Sequence, residues 1–185
     1  MGKKAILYTY CNFKMAVILE TERLRLRHFT LEDSAFIIEL LNSPGWLQFI
    51  GDRHVHSTED AWAYLQNGPL KSYQQNGYGF YMVEEKGAEL TPVGMCGITQ
   101  RDFLQHPDLG FAFLPSFSGK GYAYEIASAT VAYVKDGLKI STLSAIVLAE
   151  NKRSIRLLEK LHFRFETTIR YPGTGEELQL YTATL

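Results

Sequence analysis

The residues with the clearest chemical potential form one short run, Ser118-Gly119-Lys120-Gly121-Tyr122-Ala123. Its two glycines leave backbone amides unobstructed, and Ile126, Ala127, Thr130, Val131 and Val134 recur at helical spacing just beyond, so a helix is expected from Tyr122 to Lys135. The first N–H groups of a helix have no partner within it and the helix dipole places partial positive charge there, which suits a bound pyrophosphate. Lys120 adds a mobile cation. The run is not a nucleotide-triphosphatase loop, because Gly121 rather than Ser or Thr follows Lys120 and the earlier spaced glycine is missing. It is not a dinucleotide fingerprint either, since no third glycine follows at the required spacing. Taken alone, it has a second reading as a surface turn whose glycines serve only backbone geometry.

The elements that would position this loop can be followed along the chain. Leu19 to His28 alternates apolar and charged residues around Leu24 and Leu26, the pattern of a half-buried strand. Thr30, with Asp33 three residues on, caps a helix whose apolar stripe is Phe36, Ile37, Leu40 and Leu41 and whose end is set by Pro44-Gly45. A loop carrying Trp46, Phe49, His54 and His56 leads to a second helix capped by Ser57 and Asp60 and stopped at Gly68-Pro69. Three strands, Tyr78–Glu84, Val93–Arg101 and Leu109–Leu114, form an antiparallel meander. After the glycine loop and its helix come a buried strand, Leu143–Leu148, a helix, Asn151–Leu161, and a hairpin of Phe163–Arg170 with Glu177–Thr184.

The 185 residues suit a single domain, and a composition 46% hydrophobic and 21% charged is that of a folded globular chain. No apolar run approaches the roughly 18 residues that span a bilayer, so no membrane partner is expected. A net charge of −1 draws neither nucleic acid nor an anionic surface, and any anion site must be built locally. Cys11 and Cys96 match no metal-ligand spacing; neither a disulfide scaffold nor a metal is expected, and a reducing cytoplasm is. Thr9, Tyr10 and Asn12 interrupt the only apolar stretch near the start, which argues against a signal peptide, and Ile6 stands where a myristoylation signal needs Ser or Thr. Residues 1–14 are expected to be an extension, flexible or non-native, ahead of a domain spanning 15–185, with Met15 a candidate start.

Context makes the glycine run specific. It follows Asp108-Leu109-Gly110-Phe111-Ala112-Phe113-Leu114-Pro115 and precedes Ala149-Glu150-Asn151-Lys152-Arg153-Ser154 by some thirty residues. With Glu22-Arg23-Leu24-Arg25-Leu26-Arg27, Val93-Gly94-Met95-Cys96-Gly97 and Leu161-His162-Phe163, these segments resemble the GNAT superfamily of N-acyltransferases. Within it they are similar to the branch of the RimJ and RimL protein N-terminal acetyltransferases, over nearly the whole chain.

The resemblance implies an α/β (α+β) fold. Its mixed, mostly antiparallel sheet of about six to seven strands would be flanked by four helices and splayed between the fourth and fifth strands. It implies acetyl-CoA as co-substrate, with Phe111, Ala112 and Phe113 as backbone contacts to the pantetheine arm. Gly119, Lys120, Gly121, Tyr122 and Ala123 would hold the pyrophosphate, and Asn151 would hydrogen-bond the pantetheine. Ser154 would sit near the thioester sulfur, either as donor to the departing thiolate or back-bonded to its own turn. The implied reaction is direct attack of a primary amine on the thioester in a ternary complex, the amine belonging to a protein N-terminus, an amino acid or a small amine. The alternative is a catalytically weak CoA-binding sensor or interaction module of the same fold. The oligomeric state is left open, a homodimer being compatible.

Three departures stand out. Ser118 occupies a place where the family usually has Arg, Gln or a bulky aromatic. His162 stands where a glycine usually precedes Phe163, and histidine tolerates left-handed backbone better than most residues. The acceptor side carries no motif: His54 and His56 lie in the loop expected to border it, without being identifiable as a base. Tyr78, Phe80 and Tyr81 either line that pocket or pack the sheet.

Overall fold

The computed structural model describes residues 16–185. The expected extension over 1–14, Cys11 and the candidate start at Met15 lie outside the described residues. The chain forms one eight-stranded sheet. Its strands are β1 (Val17–Glu20), β2 (Leu24–Arg27), β3 (Phe80–Glu85), β4 (Thr91–Thr99), β5 (Asp108–Phe113), β6 (Thr142–Val147), β7 (Arg164–Arg170) and β8 (Glu177–Thr184), in the spatial order β1-β2-β3-β4-β5-β6-β8-β7. Every neighbouring pair is antiparallel except β5 with β6.

The helices are α1 (Ser34–Leu41), α2 (Pro44–Phe49), α3 (Thr58–Leu65), α4 (Lys71–Asn76), α5 (Tyr122–Asp136) and α6 (Lys152–Lys160). The mixed, mostly antiparallel architecture is as expected, with three differences in detail. The single strand expected over Leu19–His28 is a hairpin, because the Thr21 N–H bonds the Leu24 carbonyl and folds β1 back on β2. This brings the strand count to eight. α1 does end ahead of Pro44, but Pro44 also opens α2 at its first turn, where a missing N–H costs nothing. Gly68-Pro69 is no stop: one wide π turn, Gln66–Leu70, takes in Pro69 and joins α3 to α4, which ends at Gly77 in the left-handed conformation.

The alternation in β2 puts Leu24 and Leu26 in the core, and both are fully buried. Arg27, on the other face, is buried as well. Its guanidinium forks onto Asp33 (2.8 and 2.9 Å) and reaches Glu84 at 2.8 Å. Asp33 also accepts the Thr30 N–H at 2.8 Å and so starts the 3-10 turn leading into α1. Beneath β2, His28, Tyr73 and Tyr81 stack with ring centroids 4.2 to 5.6 Å apart. Tyr81 is therefore a core residue, and burial raises its hydroxyl's pKa. Phe80 covers Gly110 of β5, whose missing side chain makes room for the ring. At the end of α6, His162 has φ +65°, and the Phe163 N–H closes the helix onto the Leu158 carbonyl.

Candidate functional site

α5 starts at Gly121 with φ +83°, two residues after Gly119 with φ +80°. These angles belong to the left-handed region, which glycine enters freely and other residues enter at a cost of about 1–2 kcal/mol. The consequence is a run of amides without backbone acceptors. Among the described residues, no backbone carbonyl accepts from the N–H groups of Gly119 through Tyr124, whereas Ser118 bonds back to Pro115 and Glu125 to Gly121. Ser118 to Gly121 are exposed while Tyr122 is buried. Lys120 leaves its Nζ over the Phe117 ring at 4.6 Å. Unpaired amides at the positive end of a 15-residue helix can hold an anion.

A residue not singled out as functional from sequence braces this turn. Arg23, in the β1–β2 turn, donates from Nη1 to the Lys120 carbonyl at 3.0 Å and lies over the Tyr122 ring at 4.7 Å. Glu125 holds Arg23 in turn, accepting from its Nε at 2.7 Å, from its backbone N–H at 3.0 Å and from the Thr21 hydroxyl at 2.6 Å. Burial works to raise the pKa of the Glu125 carboxyl, but the bonds from Thr21 and Arg23 outweigh it and the net shift is downward. Tyr122 donates its hydroxyl to Glu85 on β3. Its neighbour Glu22 and the repeating Leu-Arg pattern made Arg23 look like one more surface charge on a strand. The 102 residues separating it from Glu125 hide the pairing.

Removing the Glu125 brace is expected to loosen the turn. Glu125→Ala should raise the KM for acetyl-CoA about fivefold, the equivalent of one lost hydrogen bond of about 1 kcal/mol, with kcat little changed. Steady-state kinetics at varied acetyl-CoA check this, and an unchanged KM would show that the brace does not tune the loop.

The loop lies at the mouth of a gap in the sheet. β5 and β6 pair in register only at Asp108 and Ser144, at the start of β5. Two backbone bonds set which groups face the gap. The Leu114 N–H goes to Val93 on β4, and the Ser144 N–H goes to the Pro107 carbonyl. With the two-residue period of a strand, Phe111 and Phe113 therefore turn their N–H and C=O toward the opening, and Ala112 turns its own toward β4. Of the three expected backbone contacts, Phe111 and Phe113 present their groups to the gap, and those of Ala112 are committed to β4.

Where the ladder gives out, a side chain takes over. Asp108, 2% exposed, accepts the Ile146 N–H on Oδ1 at 3.2 Å and Arg101 Nε on Oδ2 at 2.7 Å. Burial pushes its carboxyl up to about 6, with Arg101 and the Ile146 amide opposing. The carboxylate thus satisfies a β6 amide that would otherwise need β5, and the strands can part without leaving a buried donor unpaired.

At the far side of the gap, the Asn151 side chain caps α6 by accepting the Ser154 N–H at 3.1 Å, which leaves its NH2 as the group that can donate outward. Both residues are half-buried, and among the described residues the Ser154 hydroxyl does not back-bond to its own turn. A cleft of about 360 Å³ lies beside them, lined by Gln48 and Phe49 of α2 and by Glu150, Asn151, Lys152 and Arg153. The aromatic-rich segment after α1 thus meets the start of α6. His54 and His56 lie beyond the cleft lining and are exposed. Cys96 is fully buried, and burial pushes its thiol up to about 12, so it offers no nucleophile at neutral pH. Among the described residues no helix is long and apolar enough to cross a membrane.

Among the described residues the sheet parts at its one parallel pair, close in sequence to the unpaired amides of α5. The acetyltransferase (GNAT) domain model matches residues 23–164, and the chain belongs to that family. It is an acetyltransferase, of a family whose acyl donor is acetyl-CoA. The uncharacterized N-acetyltransferase YoaA of Bacillus subtilis is 27% identical over 173 residues, covering 91% of this chain and 97% of that protein. An acetyltransferase structure from Agrobacterium tumefaciens shares the fold with a TM-score of 0.75 at 23% identity, over 94% of this chain and 96% of the other. So does RimL, a ribosomal L7/L12 alpha-N-protein acetyltransferase in complex with coenzyme A, with a TM-score of 0.69 at 18% identity, over 92% and 98% of the two chains.

Proposed function

We propose that this acetyltransferase moves the acetyl group from acetyl-CoA to a primary amine by direct attack in a ternary complex, and that the amine enters beside α2. The observation that carries this reading is the juxtaposition of three features. They are six amides without a backbone acceptor at the start of α5, the parted strands β5 and β6, and the Asn151–Ser154 cap at the gap's far side. The pyrophosphate of the donor has the amides of Gly119 to Ala123 and Lys120 as partners. Its pantetheine has Phe111, Phe113 and the Asn151 amide, with Ala112 alongside.

The step is a substitution at the thioester carbonyl. The amine nitrogen forms the new C–N bond, the C–S bond breaks, the amine loses a proton to solvent or a base, and the thiolate takes one from a donor. Ser154 is that donor: its hydroxyl is unspent on the helix and follows Asn151 by one turn. A buried, hard-to-ionise Cys96 leaves no thiol for a covalent acetyl-enzyme among the described residues. RimL is named for acetylating a protein's α-amine. A peptide N-terminus is thus the acceptor class to test ahead of free amino acids and small amines.

Thiol release from acetyl-CoA, measured against peptides with free and blocked N-termini, amino acids and polyamines, tests the acceptor. Turnover that requires a free peptide α-amine supports the reading, and equal turnover with blocked peptides would refute it. Ser154→Ala should lower kcat about 100-fold while the acetyl-CoA KM stays within about twofold. An undiminished kcat would remove Ser154 from the proton transfer.

A further inference from the structure

Between α2 and α3 the chain runs through Gly51-Asp52-Arg53-His54-Val55-His56 without regular structure, and the side chains of the alternate residues Asp52, His54 and His56 approach one another. Donor atoms of Asp52, His54 and His56 all lie within 4.8 Å of one another. We propose that these three side chains form a binding site for a divalent transition-metal ion of the zinc, nickel or cobalt class.

The geometry is built by the backbone. Asp52 accepts the His54 N–H on Oδ1 at 2.7 Å, and His54 takes the left-handed conformation, φ +54°. That conformation is uncommon outside glycine, and here it accompanies an imidazole Nδ1 only 3.1 Å from Asp52 Oδ2. His56 brings Nε2 to 4.0 Å from Oδ1, while its own N–H is tied to Asp60, the capping carboxylate of α3. Val55, between the two histidines, is buried and anchors the segment.

Two imidazoles and one carboxylate are a nitrogen-oxygen donor set that suits zinc and its neighbours and does not suit calcium or magnesium, which take oxygen. Tetrahedral zinc with ligands at about 2.0–2.1 Å holds donors roughly 3.4 Å apart. The His54–Asp52 pair is close to that spacing, and His56 has to close by up to about 1.4 Å. All three side chains are solvent-exposed, so that closure meets no packing. Three protein ligands leave a position for water. Cysteine spacing gave no sign of such a site because it uses none. It begins three residues after Phe49 and stands independently of the acceptor assignment.

The test is a titration of the full, tag-free chain with Co2+, read by its visible d–d absorption, with Zn2+ as competitor. A saturable spectrum at one ion per chain, displaced by Zn2+, is expected. His54→Asn, which keeps a residue tolerant of left-handed backbone, and His56→Ala should each weaken binding at least about tenfold. Their melting temperatures should match the parent, since neither side chain is packed. Absence of a saturable spectrum overturns the proposal, and so does binding that neither substitution weakens, because the ion is then held elsewhere.

Discussion

Replacing Gly121 with valine is expected to cut acetyl-CoA binding about 100-fold, the equivalent of losing about 3 kcal/mol of charge-assisted hydrogen bonding, while the domain stays folded. The reason is conformational. A β-branched residue at φ +83° is strained wherever it sits. A Cβ there would touch only Arg23 Nη2, at 3.4 Å. The valine fits sterically, so the loop relaxes by abandoning the left-handed turn, and the amides of Gly119 to Tyr124 no longer converge. Strain alone is separable from this effect. Gly175, in the β7–β8 turn, also has positive φ, +74°, and nothing within 4 Å of a Cβ. Gly175→Val should therefore cost a comparable amount of stability and leave acetyl-CoA affinity as it was. Calorimetric titration with acetyl-CoA and thermal melts of both variants decide the matter. Parental affinity in Gly121→Val, or equal loss in both, would sink the assignment of the loop.

Asp108 should make stability depend on pH in an unusual direction for a carboxylate with an arginine partner. Its folded value is held near 6 by burial, above the ordinary value near 4 of the unfolded chain. The folded state therefore binds the proton more tightly. Asp108's contribution is complete below the unfolded value and is lost as pH rises through about 6. Asp108→Asn removes that dependence while keeping a carbonyl oxygen for the Ile146 N–H. The stability advantage of the parent over the variant should shrink by about 2 kcal/mol between about pH 4 and pH 7. Urea denaturation across that range measures it, and parallel stability curves would contradict it. Asp108→Ala goes further. It leaves the Ile146 amide and Arg101 without their acceptor at the base of the gap, and should cost about 3 kcal/mol near neutral pH and weaken acetyl-CoA binding as the strands shift.

Much of this protein follows from local pattern. The run from Gly119 to Ala123, the helix behind it, the β3–β4–β5 meander and the closing hairpin are short-range features, and their periodicity and turn residues sit within a few positions of one another. His162 was legible in the same way, as a residue in a glycine's place that adopts φ +65°. The capped start of α3 at Ser57 and Asp60 was another such feature. Where local signals failed, the tertiary environment had overruled them. Pro44, which follows the end of α1, and Gly68-Pro69 look like plain helix stops because proline lacks an N–H, yet a helix begins at the one and continues through the other. A helix start needs none, and a π turn can absorb the loss.

The site divides along the same line. Sequence alone determined that a glycine turn stands at the head of α5 and, through its neighbours, which family the chain resembles, because a glycine turn before a helix is a local object. The tertiary structure alone decided how that turn is held and what surrounds it. Arg23 reaches the Lys120 carbonyl from the other end of the chain, and Asp108 lets β5 and β6 part. Gln48 and Phe49 come to face Asn151 across a cleft. These are contacts between residues some forty to a hundred positions apart. They are fixed by strand order and by the burial of a shared core, neither of which any short window of residues contains.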